Sequence, residues 1–284
     1  MAPKTWLITG TSSGIGLELA LKALSRGDKV VATSRRPDGP ALADLKSKGA
    51  TIVQLDQNKS LEHVKAAVNE AIKAYGGIDI LVANAAYVQT GMLEETTPEE
   101  TLAQYQANVF GPVNVWRAIL PHFRERRAGV IATVGSMAAW YPTPGSGLYG
   151  SSKSALRGLA LGLQTETAQF GIKHCLIEPG FFRTELLDST TNLGKSPAER
   201  RLPDYATLNE TIDSAFSTWH HKQLGDPVKG AEVLYDLLTS SNVPPVLALG
   251  SDAVAQIKKS CEETIAQLKE WEKYSVLTDI PSGK

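Results

Sequence analysis

Seven short apolar runs alternate with longer segments of helical spacing, and no other feature narrows the fold as much. The runs are Thr5–Thr9, Lys29–Ser34, Thr51–Gln54, Ile78–Ala83, Gly129–Val134, Lys173–Glu178 and Pro245–Leu249. They are rich in Val, Ile and Leu and continuous in hydrophobicity, as strands buried on both faces are. Between them lie Ile15–Ser25, where Ile15, Leu19 and Leu24 share a face, then Leu61–Tyr75, Glu99–Arg126 and Tyr149–Gln169, and late in the chain Pro227–Thr239 and Asp252–Tyr274. This order predicts an α/β fold: a single doubly wound parallel sheet of about seven strands with helices on both faces. Such sheets take ligands at the carboxyl ends of their strands. No break in composition marks a second domain, so residues 1–284 read as one unit, a length at which a large core is available.

The rhythm fails once. From Thr184 to Gly225 there is no strand-like run, and the stretch TNLGKSPAERRLPDY is polar with two prolines. An insertion of this length in a compact domain is usually functional or mobile, so residues 184–225 read as a substrate lid or variable insertion.

Composition excludes several classes. With 29 Lys+Arg against 30 Asp+Glu and no basic block, a nucleic-acid partner is not expected. The two cysteines, Cys175 and Cys261, make no disulfide framework, and no Cys/His spacing reads as a metal site. The adjacent pair His220-His221 points two ways on a helix or strand, which disfavours a shared metal. No apolar run approaches the roughly 20 residues of a membrane helix. The start, MAPKTWLITG, enters a strand-like segment without a signal-peptide pattern, so a soluble, cytoplasmic protein is expected. The composition is ordinary and shows no fixed-period repeat.

The first run leads directly into Thr9-Gly10-Thr11-Ser12-Ser13-Gly14-Ile15-Gly16, which opens the first helix. A glycine-rich match alone is weak, but strand, turn and helix here stand in the right order. Gly10 suits the tight turn, Gly14 a close approach of backbone to a pyrophosphate, and Gly16 close helix–strand packing. The helix N-terminus offers free N–H groups and a positive dipole end, and Ser12 and Ser13 add hydroxyl donors. The second run ends Thr33-Ser34-Arg35-Arg36. An acid at that place would take the ribose hydroxyls of NAD, whereas Arg35 would pair with a 2′-phosphate. The expectation is therefore NADP(H). Asp56, ending the third run, either accepts from the adenine amino group, caps the next turn, or does both. Asn84 follows the fourth run, and small Ala85 and Ala86 leave room for the adenosine ribose.

Tyr149 and Lys153 stand at i and i+4, on one face of a helix. A phenol near pKa 10 is a poor proton carrier at neutral pH, and a neighbouring ammonium lowers it. The pair makes sense as a tuned acid/base. Ser136, just past the fifth run, is either a polariser of a substrate carbonyl or a turn residue. Asn108, unfavourable inside a helical run, either holds a water that relays protons to Lys153 or satisfies a local helix irregularity.

TGTSSGIG, Asp56, Asn84-Ala85-Ala86, Asn108, Ser136, YGSSK and Pro179-Gly180 occur in order through about Thr184. With these the chain resembles the short-chain dehydrogenase/reductase family, a Rossmann-type fold. Within it the chain is most similar to NADP(H)-dependent 17β-hydroxysteroid- and retinol-dehydrogenase-like microbial members, including reductases of fungal secondary metabolism. The resemblance implies Tyr149 as general acid/base and Lys153 as ribose binder and tuner of Tyr149. It implies Ser136 orienting the carbonyl and Asn108 supporting the relay. Ile15 would back the nicotinamide end. The segment Pro179-Gly180-Phe181-Phe182-Arg183-Thr184 would hold the carboxamide, with Phe182 in the wall and Thr184 touching phosphate. Ala86 replaces the family's glycine, a cost only if that residue needs a positive φ. Pairing into a homodimer or homotetramer through the helices near Glu99–Arg126 and Tyr149–Gln169 is also implied.

The expected activity is reversible hydride transfer between NADP(H) and a carbonyl/alcohol pair, most readily as a ketoreductase. Trp140-Tyr141, Phe181-Phe182 and Trp219, if they face the cleft, suit an apolar or aromatic small molecule; otherwise they are core or lid packing. A second reading on the same fold is nucleotide sensing or non-redox catalysis. An intact Ser136, Tyr149 and Lys153 counts against it.

Overall fold

The computed structural model describes residues 2–188, 192–219 and 222–280, apart from the side chains of residues 216, 217 and 219. In chain order the elements are β1 (Thr5–Thr9), α1 (Gly14–Ser25), β2 (Lys29–Ser34), α2 (Pro40–Ser47), β3 (Thr51–Gln54), α3 (Leu61–Tyr75), β4 (Ile80–Ala83) and β5 (Val88–Thr90). There follow α4 (Pro98–Tyr105), α5 (Gly111–Arg126), β6 (Gly129–Val134), α6 (Gly147–Thr167), β7 (Ile172–Pro179), β8 (Leu193–Lys195), α7 (Ala206–Trp219), α8 (Pro227–Thr239), β9 (Val246–Leu249) and α9 (Ser251–Ser275).

Among the described residues the main sheet has seven strands in the order β3-β2-β1-β4-β6-β7-β9, all parallel. This is the doubly wound arrangement that the alternation predicts. Successive side chains leave opposite faces of each strand. Leu7, Val31, Leu81, Ile131 and Leu176 therefore pack with α3, α5 and α6 on one face. Trp6, Ile8, Val30, Ala32, Val82 and Ile177 pack with α1, α2 and α8 on the other. The chain runs outward from β1 to β3, then returns to lay β4 on the far side of β1. The crevice where strand order reverses lies at the carboxyl ends of β1 and β4.

Three local readings change. The segment 184–225 contains β8, which pairs in parallel with β5: Val88↔Leu193, Gln89↔Gly194, Thr90↔Lys195. It also contains α7. Three residues with a central glycine give no hydrophobic run, so β8 exists through its tertiary partner. Helix α2 also went unpredicted: its polar-rich eight residues start at Gly39-Pro40. The long helix predicted over Glu99–Arg126 is interrupted by a π-turn at Gln106–Phe110. Next to it Pro112 has no N–H, so it cannot give the carbonyl of Asn108 the usual i+4 helical bond. The Gly111 N–H instead reaches back to the Gln106 carbonyl. His220-His221 lies outside the described residues.

Candidate active site

The end of β1 and the end of β4 are stapled together by buried polar groups. Thr9 Oγ1 accepts from the N–H groups of Asn84 (2.9 Å) and Ala85 (3.0 Å). Asn84 Nδ2 donates to the carbonyls of Thr9 (2.9 Å) and Gly10 (3.1 Å). Thus the Asn84 amide shapes the glycine turn, while the residue also lines the cleft. Gly10 sits at φ +69, where a side chain is strained. A Cβ on Gly16 would lie 2.4 Å from Asn84 Nδ2 and 2.6 Å from the Gly10 carbonyl, so helix and strand meet too closely for any other residue. Ala86 carries no positive φ: among described non-glycine residues only Arg127 does. The family's glycine is therefore not needed there.

The cleft that follows has a volume of ≈ 310 Å³. It is lined by Ser12, Ser13, Gly14, Ile15, Arg35 and Asp56 and by Ser136, Tyr149, Lys153, Pro179, Gly180, Phe182 and Thr184, with Gly14 and Thr184 close enough that a Cβ on Gly14 would lie 3.2 Å from Thr184 Cβ. Asp56 Oδ1 accepts from the Asn58 N–H at 3.0 Å, so the capping role exists beside whatever the cleft receives.

Helix α6 begins at Gly147, a little before the predicted start, which places Tyr149 and Lys153 in its first two turns. The Tyr149 phenol hydrogen-bonds the Ser136 side chain. Burial pushes that phenol above its ordinary value, and the Ser136 bond opposes the rise only in part. The Lys153 ammonium is buried and donates to the Val134 carbonyl at 2.8 Å, with its nitrogen 5.8 Å from the Tyr149 ring centre. Burial lowers Lys153 to about 8. In this arrangement the ammonium is engaged by the β6 carbonyl.

Asn108 does not line the cleft; it lies behind it, fully buried. Its Oδ1 accepts from the Tyr87 N–H (3.1 Å), and its Nδ2 donates to the Tyr87 carbonyl (2.9 Å) and to Ser152 Oγ (3.3 Å). It therefore ties the loop after β4 to the π-turn and to α6.

Of the aromatic candidates, Tyr141, Phe181 and Phe182 line the cleft. Trp140 does not. Its Nε1 donates to buried Glu178 Oε2 at 3.0 Å, and the Arg157 guanidinium stacks 4.1 Å from its ring centre while pairing with Glu178 at 3.3 Å. That cluster holds the turn carrying Ser136. The Trp219 side chain lies outside the described residues.

Sequence reasoning missed three contributors. Thr9 was readable as a polar residue ending an apolar strand. Gln57, buried in the cleft wall, donates to the carbonyls of Ala85 (3.0 Å) and Ala107 (2.7 Å), and no local signal marks it. Glu95 is the third. Its carboxylate accepts from Leu202 N–H (2.9 Å) and from Asn209 Nδ2 (2.9 and 3.1 Å), anchoring the 184–225 excursion. The neck of that excursion closes where Gly225 N–H donates to the Phe181 carbonyl and Arg183 N–H to the Gly225 carbonyl, both at 2.9 Å.

The sequence matches the family described as short chain dehydrogenase over residues 4–193. The chain belongs to that family. Over 284 aligned residues it is 32% identical to the oxidoreductase BOA17 of Botryotinia fuckeliana, covering 96% of this chain and 98% of that one. A short-chain dehydrogenase from Streptomyces avermitilis superposes with a TM-score of 0.86 at 36% identity, covering 98% of this chain and 100% of the other. ElxO, solved with NADP bound, superposes at 0.70 with 27% identity over 89% of this chain and 99% of its own. A 3-ketoacyl-(acyl-carrier-protein) reductase of Brucella melitensis, complexed with NADH, superposes at 0.69 with 28% identity over 87% and 95%. The protein is thus an oxidoreductase of the short-chain dehydrogenase family, and a nicotinamide cofactor follows from that membership.

The cleft fits such a cofactor. The cradle is too tight at Gly16 for a side chain, and Arg35, Asp56 and a buried lysine all line the cleft. Among the described residues no group of three or more His, Cys, Asp or Glu is placed to hold a metal, and no helix is long and apolar enough to cross a membrane.

Proposed function

We propose that the protein is an NADP(H)-dependent ketoreductase acting on an uncharged apolar or aromatic carbonyl compound. The observation that carries this reading is the convergence of Ser136, Tyr149 and Lys153 on one cleft that Arg35 also lines. Gly10, Ser12, Ser13, Gly14 and Gly16 would hold the pyrophosphate side, Ile15 would back the nicotinamide end, Arg35 would take a 2′-phosphate, and Asp56 the adenine. Asn84, Ala85, Pro179, Gly180, Phe182 and Thr184 would form the remaining walls. When bound, the nicotinamide supplies hydride. Ser136 orients the substrate carbonyl, and Tyr149 Oη donates the proton to the developing alkoxide. Lys153, already paired with the Val134 carbonyl, presents its remaining N–H donors toward the ribose and keeps positive charge beside the phenol. Asn108, behind the cleft, would support proton resupply to Lys153.

The cleft lining favours an uncharged substrate. Its lining includes Tyr87, Val88, Met137, Tyr141, Leu186 and Leu187 beside the uncharged polar Thr143, Ser146 and Asn192, and the charged lining residues are Arg35, Asp56 and Lys153. The 184–225 excursion acts as the lid over the cleft. The α4–α6 face, where Leu102, Phe110 and Leu159 are exposed, supports pairing of two copies.

The experiment is consumption of NADPH against NADH by purified protein over aromatic, steroid-like, retinoid-like and polyketide-like ketones. Turnover with NADPH on apolar ketones is expected. Tight NADPH binding without consumption across the panel would favour the sensing or non-redox alternative. Arg35→Asp should shift preference toward NADH by tenfold or more, since one charge-assisted pair is worth roughly 1.5–3 kcal/mol. Unchanged preference would remove Arg35 from the assignment.

A further inference from the structure

Helix α9 starts on the body of the protein and leaves it. Its first turns lie against β9 and the Met137–Ala139 turn, and Asp252 Oδ2 accepts from the Phe181 N–H at 2.7 Å. Ala253 and Ser260 are buried. From residue 262 through 280 every residue is exposed. That projecting segment is not polar: Ile265, Leu268, Trp271, Val276, Leu277 and Ile280 are all exposed, Leu268 at 66%.

The apolar residues are ordered. Val254, Cys261 and Leu268 recur every seven positions, and Ile257, Thr264 and Trp271 recur at the interleaved spacing. This is the two-position seam of a helix pair. From Val254 to Trp271 it runs for 18 residues, or roughly 27 Å at 1.5 Å per residue. Along the edge of the seam, Lys258, Ile265 and Glu272 also stand seven apart, with opposite charges symmetric about the isoleucine. Two α9 helices running antiparallel about Ile265 place Lys258 of one protomer against Glu272 of its partner, twice. The same register lays the apolar end, Val276, Leu277 and Ile280, beside the partner's half-exposed Val254. A parallel pair offers no such complement. A lipid surface is a poorer match, because residues 251–280 hold four lysines against six acids.

We propose that α9 is a self-association element: two copies of this chain pair antiparallel through the Val254–Trp271 seam, with Ile265 at the twofold axis. This contact is separate from the α4–α6 face.

The test is cysteine cross-linking in the full-length chain carrying Cys261→Ser, with Cys175 left in the core. Ile265→Cys should give a covalent dimer on mild oxidation, and Lys259→Cys, on the opposite face, should not. Lys258→Glu should lower the Ile265→Cys dimer yield several-fold, and adding Glu272→Lys should restore it. Unchanged thermal melting of each variant shows that the body is folded. No cross-link at Ile265, equal cross-linking at residue 259, or yield indifferent to Lys258→Glu overturns the proposal. Leu268-dependent sedimentation with phosphatidylcholine vesicles also overturns it, and assigns the stripe to lipid instead.

Discussion

The glycine cradle and the 184–225 excursion both wall the same cleft, but they are held in different ways. The cradle, residues 9–16 with Asn84 and Ala85, is set by strand ends and backbone contact: a single added methyl at Gly16 finds backbone and amide atoms within 2.6 Å. The excursion is held mainly by side-chain tethers, namely Glu95 on Leu202 and Asn209 and Asp213 on Lys195 and Arg201, with little backbone pairing beyond the three-residue β5–β8 ladder and the Phe181–Gly225 neck. Backbone contact admits almost no variation. Tethers can be rearranged one at a time while the sheet stays intact. On the proposed function, cofactor handling and proton chemistry would sit on the rigid part, and substrate selection on the part that can vary.

That contrast can be broken or sharpened by mutation. The largest effect is expected from Tyr149→Phe, with turnover falling about a thousandfold while NADPH affinity stays near normal. Wild-type turnover would remove Tyr149 from proton transfer. Gly16→Ala tests the cradle: overpacking of about 1–3 kcal/mol should lower both the melting temperature and cofactor affinity. A variant that binds NADPH normally would show that the contact at Gly16 yields easily. Glu95→Ala tests the tethers. Unpairing buried Asn209 and the Leu202 N–H should raise the ketone KM several-fold and leave the NADPH dissociation constant unchanged. An equal loss in both would mean that the excursion also builds the cofactor site.

The smallest effect is in pH. Burial holds Lys153 at about 8, below a free lysine. Its ammonium is lost as pH rises through 8, so kcat/KM for reduction should fall above that pH. Between about 8 and 10.5 the unfolded chain binds the proton that the native chain has released, so this group's contribution to stability rises with pH. Activity and stability should thus move in opposite directions. A Lys153→Met variant that keeps the alkaline limb would assign it to another group.

The outcome of the sequence reading follows the same division. The strands, the glycine turn and the Tyr149–Lys153 spacing were legible because each is local: apolar runs, a glycine pattern at one junction, a spacing of four on one helix. The π-turn was legible in principle, through Pro112 and the odd placement of Asn108. Trp140 was not, because nothing near it in sequence signals that Glu178 and Arg157 claim its indole. Gln57, Glu95 and β8 were hidden for the same reason: each takes its structure from partners tens of residues away.

By itself the sequence determined a doubly wound sheet with a glycine-rich turn at its crevice and a tyrosine–lysine pair one helix face apart, since periodicity and turn chemistry act over a few residues. Only the tertiary structure decided which buried polar groups staple the crevice, where the Lys153 ammonium turns, which aromatics reach the cleft and what anchors the excursion. Those depend on hydrogen-bond partners and desolvation, and both are set by residues that the chain brings together only when it folds.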